Sequence, residues 1–193
     1  MTRSEKEQFS ALMAAVFAPP DKTLLANLQR EEAPLFRNGE ISLDVLQKDY
    51  VNLFSNVTGE RVSLVESTYK PWTFDETCPL CFSGEKGLLM GDCALHIQNI
   101  FQTLSLEVPQ EFQGTPDHLV LELELLSYLY RFAPEDQIRR FIADHLDWIP
   151  NLRNEIQKAD PGFYGRAVDR LLDFLTQEIH FSKEKQNEPQ SLH

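Results

Sequence analysis

Positive charge is in short supply in this chain. Against 30 Asp and Glu stand only 18 Lys and Arg, a formal net charge of −12, so the basic surface that phosphate backbones require is missing and nucleic acid is not an expected partner. Glycine is scarce too, at eight residues in 193, which removes collagen-like and low-complexity classes. Three cysteines, an odd number in a chain long enough to bury its own core, do not make a disulfide framework. No stretch approaches the roughly 18 consecutive apolar residues of a membrane span, and residues 1–7 lead into no apolar signal core, so no membrane insertion and a cytoplasmic location are expected. There is no Gly-rich phosphate loop, no Gly-x-Ser-x-Gly elbow and no His-Glu-x-x-His helix, and nothing demands an enzyme. No internal repeat and no convincing strand interrupts the pattern.

What the chain does have is helical spacing of apolar residues. With 42% hydrophobic and 25% charged residues, it is expected to fold as a single all-α domain of about eight or more helices around a buried central helix, Pro116 to Phe132. Thr115 reads as the N-cap of that helix, Pro116 as its first residue and Asp117 as a first-turn acid. The expected organisation is an N-terminal helical part over 1–106 with a long loop at 55–91, a linker at 107–115, a C-terminal helical part over 116–181 and a polar tail over 182–193. A capping box of Ser4 and Glu7 opens the first helix, Asp21 and Ser42 cap the next two, and Gly91-Asp92 starts a fourth. Pro134 opens a helix that is expected to run to about Trp148-Ile149-Pro150. A short helix follows from about Leu152, and Asp160-Pro161 repeats the cap-plus-proline signature before the last long one.

Several polar residues need an account. Asp117 and His118, at the mouth of the central helix, either cap and pack or form a pocket for a cationic or amide-bearing ligand. Glu122 and Glu124 lie on a nearly all-apolar helix, where a carboxylate must find a partner or bear a large desolvation cost. The long loop carries Glu66, Tyr69, Trp72 and Phe74. Cys78 and Cys81, two apart on a Cys-Pro-Leu-Cys knuckle, could complete a zinc tetrahedron with Cys93 and His96, one helical turn apart. Unliganded small hydrophobes are the alternative reading of those thiols. His145 beside Asp144 reads as solvated, because adjacent residues on a helix point apart.

The segment Thr115-Pro116-Asp117-His118-Leu119 with Glu122, Glu124 and Leu126 resembles the TorD/DmsD/NarJ family. So do Tyr50-Val51-Asn52-Leu53-Phe54, Glu66-Ser67-Thr68-Tyr69, Gly87-Leu88-Leu89-Met90-Gly91 and His145-Leu146-Asp147-Trp148-Ile149-Pro150, which occur in the family's order. The Asp-His pair is that of the TorD and DmsD branches, while the position of the proline is closer to the NarJ type. The resemblance implies a cytoplasmic chaperone that binds the apo form of a molybdenum oxidoreductase and its twin-arginine signal peptide, assists cofactor insertion and delays export. Asp117, His118, Glu122, Glu124 and Glu66 would then meet the peptide's arginines, and Tyr69, Trp72 and Phe74 its apolar part. No cofactor is required for this role. The rival expectation is a zinc-binding or redox helical protein built on Cys78, Cys81, Cys93 and His96.

Overall fold

A computed structural model describes residues 1–30, 42–55, 61–159 and 162–186. Its centre is the helix over Leu119–Phe132, which buries Leu119, Val120, Leu121, Leu123, Leu125, Leu126, Leu129 and Tyr130. So continuous a cover leaves room for few polar side chains. This helix starts three residues later than the sequence predicts. His118, not Thr115, is its N-cap, accepting from the Val120 N–H through Nδ1 at 3.2 Å. Pro116 and Asp117 stay outside because Asp117 is turned into a contact with the preceding loop.

In chain order, α1 covers Arg3–Phe17. Its capping box is Thr2 with Glu5 rather than Ser4 with Glu7, since the Thr2 hydroxyl accepts from the Glu5 N–H and Glu5 accepts from the Thr2 N–H. α2 spans Lys22–Arg30 and opens on Asp21, whose carboxylate accepts from the Leu24 N–H at 2.7 Å. α3 spans Leu43–Tyr50 behind a Ser42 cap, as expected, and widens into a π-helical turn over Val51–Ser55. α4 follows at Asp92–Thr103, the central helix is α5, α6 covers Glu135–His145, α7 Ile149–Ala159 and α8 Phe163–Gln186.

Two boundaries correct the sequence reading. α6 ends at His145 and α7 already begins at Ile149, because Pro150 is tolerated in a first turn where its missing N–H has no partner to lose. α8 continues to Gln186, beyond the expected start of the tail at 182. The expected cap at Asp160-Pro161 lies outside the described residues.

α1 lies along α5, and α7 and α8 pack against each other. The two halves of the chain therefore share one core, in which Met13, Val16 and Phe17 of α1 join Leu123, Ile149 and Leu171. Among the described residues there is no strand beyond a single antiparallel bridge, Val65 to His118, and no helix is long and apolar enough to cross a membrane.

That bridge sets the position of the long loop. The Leu119 N–H donates to the Leu64 carbonyl and the Glu66 N–H to the Asp117 carbonyl, so residues 64–66 are held against the start of α5. A one-turn 3-10 helix at Glu66–Thr68 follows. The far end of the loop is tied at Gly91, where an added Cβ would sit 2.3 Å from the Trp72 carbonyl oxygen. Only glycine allows so close an approach, and it lets the Asp92 N–H reach that carbonyl at 2.8 Å.

Candidate functional site

The loop, α4, α5 and the end of α6 bring together a buried cluster of ionisable groups. Glu66 is fully buried. Its Oε1 takes a 2.6 Å ion pair from Lys70, four residues on, and its Oε2 lies 3.0 Å from His145 Nδ1. The other ring nitrogen of His145, Nε2, is 2.8 Å from Nδ1 of His96 on α4. Lys70 also pairs with Asp147 and donates to the Asp144 carbonyl at 2.8 Å. From α5, the fully buried Glu122 points toward the same place, with Oε2 accepting from the Trp148 indole at 3.2 Å. That indole also donates to the His145 carbonyl and stacks on Tyr69, ring centres 5.0 Å apart.

Two buried carboxyls this close divide their charge unequally. Burial favours the neutral form of both. For Glu66, the hydrogen bond to His145 and the charges of His145 and Lys70 outweigh burial and hold the carboxyl below its usual range. For Glu122, burial, the charge and hydrogen bond of Glu66 and the charge of Asp117 outweigh the Trp148 indole and push the carboxyl well above its usual range. Glu66 is therefore the carboxylate and Glu122 the acid. Lys70 is desolvated, yet the charge of Glu66 and the contact with Asp147 push it up to about 12.

The structure redistributes the residues singled out from sequence. Asp117 is fully buried, and Oδ2 accepts from the Ser67 N–H at 2.8 Å and from the Ser67 hydroxyl. It fastens the loop to α5 and is closed to a large ligand. His118 is half-buried with its ring on Phe112, and burial lowers it to about 4. Glu124 is exposed; partial desolvation still raises its carboxyl, but only Glu122 is fully buried. Tyr69 is buried, its hydroxyl 2.7 Å from the Glu155 carboxylate and 2.9 Å from the Ser63 carbonyl. Trp72 is half-buried against Phe82. Phe74 is the one apolar candidate that stands open, at 60% exposure.

The cysteine-based zinc set is not assembled. Cys93 is buried, Cys78 half-buried and Cys81 exposed, while His96 is engaged with His145. The Cys93 thiol is pushed up to about 12 by burial and by Glu66, opposite to what a thiolate ligand needs. Among the described residues, the one group whose ligand atoms come together is Glu66, Glu122 and His145.

His145 is the main correction. It is buried at the end of α6, not solvated, and no spacing in the sequence joins it to Glu66, 79 residues away. The available signal was indirect: the segments around Glu66, Asp117, Glu122, His145 and Trp148 all carry the family resemblance, and all of them converge here.

Above the cluster runs a groove between α4 and α6. Two adjoining cavities share His96, Asp144 and His145. One, of about 360 Å³, has Ile100, Leu104, Leu129 and Phe141 on its walls. The other, of about 450 Å³, is bordered by Phe74, Asp92, Asp144, Asp147 and Lys70.

A family described as the nitrate reductase delta subunit matches residues 15–154, which includes the whole cluster. This chain belongs to the TorD/DmsD/NarJ family. The chaperone proteins TorD of Salmonella newport (strain SL254) and Salmonella dublin are each 35% identical to it over 85 residues. The match takes in 39% of this chain and 40% of each relative, so the chain spans well under half the length of these curated relatives. A crystal structure of a protein described as a redox enzyme maturation protein, from Archaeoglobus fulgidus, superposes with a TM-score of 0.57 at 18% identity, covering 92% of this chain and 93% of that one. That likeness shows that the two chains share a fold over almost their whole length.

Proposed function

We propose that this chain is a redox enzyme maturation chaperone that receives the twin-arginine signal peptide of an apo-molybdoenzyme subunit in the groove between α4 and α6. One observation carries the reading: an apolar cavity and an acid-rimmed cavity adjoin. An extended leader presents the same two chemistries in sequence, guanidinium groups followed by apolar side chains. Arginine favours paired, planar carboxylates, and Asp92, Asp144 and Asp147 are all exposed at one end of the groove. The net charge of −12 favours the approach of a basic segment.

This placement moves the peptide site away from Asp117 and Glu122, which are buried, and from the half-buried His118, and retains Phe74. The test is titration calorimetry with the leader of a co-encoded reductase. Binding should be saturable and weaken as salt rises. Asp144→Asn should lose roughly ten- to a hundredfold in affinity, the equivalent of one charge-assisted contact of about 1.5 to 3 kcal/mol. Replacing both peptide arginines with no loss of affinity would sink the acidic half of the groove as the arginine site.

A further inference from the structure

We propose that Glu66, Glu122 and His145 form a binding site for one first-row divalent cation such as Zn²⁺ or Co²⁺, beneath the floor of the groove. One ligand atom of each lies within 4.8 Å of the other two. Each of the three side chains has one heteroatom held by a neighbour outside the group, and each offers a ligand atom within reach of the other two. Glu66 Oε1 is held by Lys70, and Oε2 faces inward. Glu122 Oε2 is held by the Trp148 indole, Oε1 is buried and receives no donor, and the carboxyls of Glu122 and Glu66 share a hydrogen bond that an ion would replace. His145 Nε2 is bonded to His96, and Nδ1 faces Glu66.

This is the arrangement found around metal ligands, where an outer partner on the second ring nitrogen fixes the tautomer and aims the first nitrogen at the ion. The 3.0 Å between Glu66 Oε2 and His145 Nδ1 suits two ligands sharing an edge, since bonds of about 2.1 Å place neighbouring ligands about 3.0 to 3.4 Å apart. One nitrogen and two carboxylate oxygens favour a first-row transition metal or zinc over calcium or magnesium. Glu122 is the acid of the pair, so binding a divalent cation releases its proton; the carboxylates of Glu66, Glu122 and Asp147 set against the one ammonium of Lys70 then leave two negative charges for the ion to cancel. Lys70 need not leave, because Asp147 and the Asp144 carbonyl hold it independently of Glu66. His145 borders both cavities of the groove, so an ion has a route in past His96.

The deciding experiment uses the full chain, stripped with a chelator and titrated with Co²⁺ and then Zn²⁺ alone. Wild type should take up one equivalent, show cobalt d–d absorption without the near-ultraviolet thiolate charge-transfer band, and melt at a higher temperature when loaded. Glu122→Gln keeps the shape and the indole contact, so it should fold with an unchanged circular dichroism spectrum, and its affinity should fall at least tenfold. The triple variant Cys78→Ser, Cys81→Ser, Cys93→Ser should bind as wild type does. Uptake by wild type no greater than by folded Glu122→Gln overturns the proposal, as does loss of uptake in the triple serine variant, which would return the metal to the thiols. The proposal is independent of the peptide reading, since no peptide enters the test.

Discussion

The imidazole of His118 should make the stability of this protein depend on pH in a way that one substitution removes. Nδ1 of the ring accepts the Val120 N–H at the start of α5, and that acceptor exists only while the ring is neutral. Burial lowers His118 from the ordinary 6.5 to about 4. Between those values the unfolded chain binds a proton that the folded chain refuses, so stability is full above pH 6.5 and is lost as pH falls toward 4. Linkage at 1.36 kcal/mol per unit puts the loss at about 2 kcal/mol by pH 5 and about 3 kcal/mol by pH 4. In a domain of this size, 2 kcal/mol corresponds to a fall in melting temperature of roughly 4 to 8 °C. His118→Asn retains a good cap acceptor and cannot titrate. Its weaker packing on Phe112 should lower stability by the same amount at every pH, so it cancels when the pH dependences are compared. Urea unfolding of both proteins at pH 7.5, 6 and 5 should show the wild-type advantage shrinking by about 2 kcal/mol across the series. Parallel pH curves would refute the coupling of cap and titration.

Gly91→Ala places a Cβ against the Trp72 carbonyl, so the loop end must shift, and we expect about 1 to 3 kcal/mol of destabilisation in chemical unfolding; a loss below half of the lower figure would mean that the backbone relaxes freely. Asp117→Ala removes the acceptor for the Ser67 N–H and hydroxyl in the core and should cost about 2 to 4 kcal/mol, with faster amide exchange at residues 64–68 than in α8; uniform exchange would show that Asp117 does not anchor the loop. Lys70→Met leaves the Glu66 carboxylate with only the imidazole of His145 and should cost about 3 kcal/mol by urea unfolding near neutral pH; a neutral outcome would mean that Glu66 is not charged in the fold.

The helices were legible because their signal is local. Apolar spacing and the caps at Asp21 and Ser42 act within one or two turns, and the structure keeps them. The start of α5 departs from its local signal for a physical reason. Thr115, Pro116 and Asp117 form a good local start, but the Asp117 carboxylate gains more from two buried donors on Ser67, 50 residues earlier, than from a helix dipole. The same competition hid the site. Nothing in the local pattern joins Glu66 to His145 or Glu122 to Trp148, since such pairs are created by the loop folding back on α5 and by α6 stopping at His145. Local chemistry also favoured the cysteines, whose Cys-x-x-Cys spacing is conspicuous in sequence yet lies on the outer loop, away from any assembled ligand set. Glu122 was the residue that pointed inward correctly. A carboxyl on an all-apolar face must be neutral or partnered, and here it is neutral first because it is buried and then because its neighbour, Glu66, already holds the charge, with Lys70 and His145 stabilising it. Glu66→Gln should therefore release Glu122 from that influence and bring its carboxyl down toward the ordinary range. Infrared spectroscopy of the protonated carboxyl stretch across neutral pH would detect the change, and a stretch that persists unaltered in Glu66→Gln would mean that burial alone keeps Glu122 neutral.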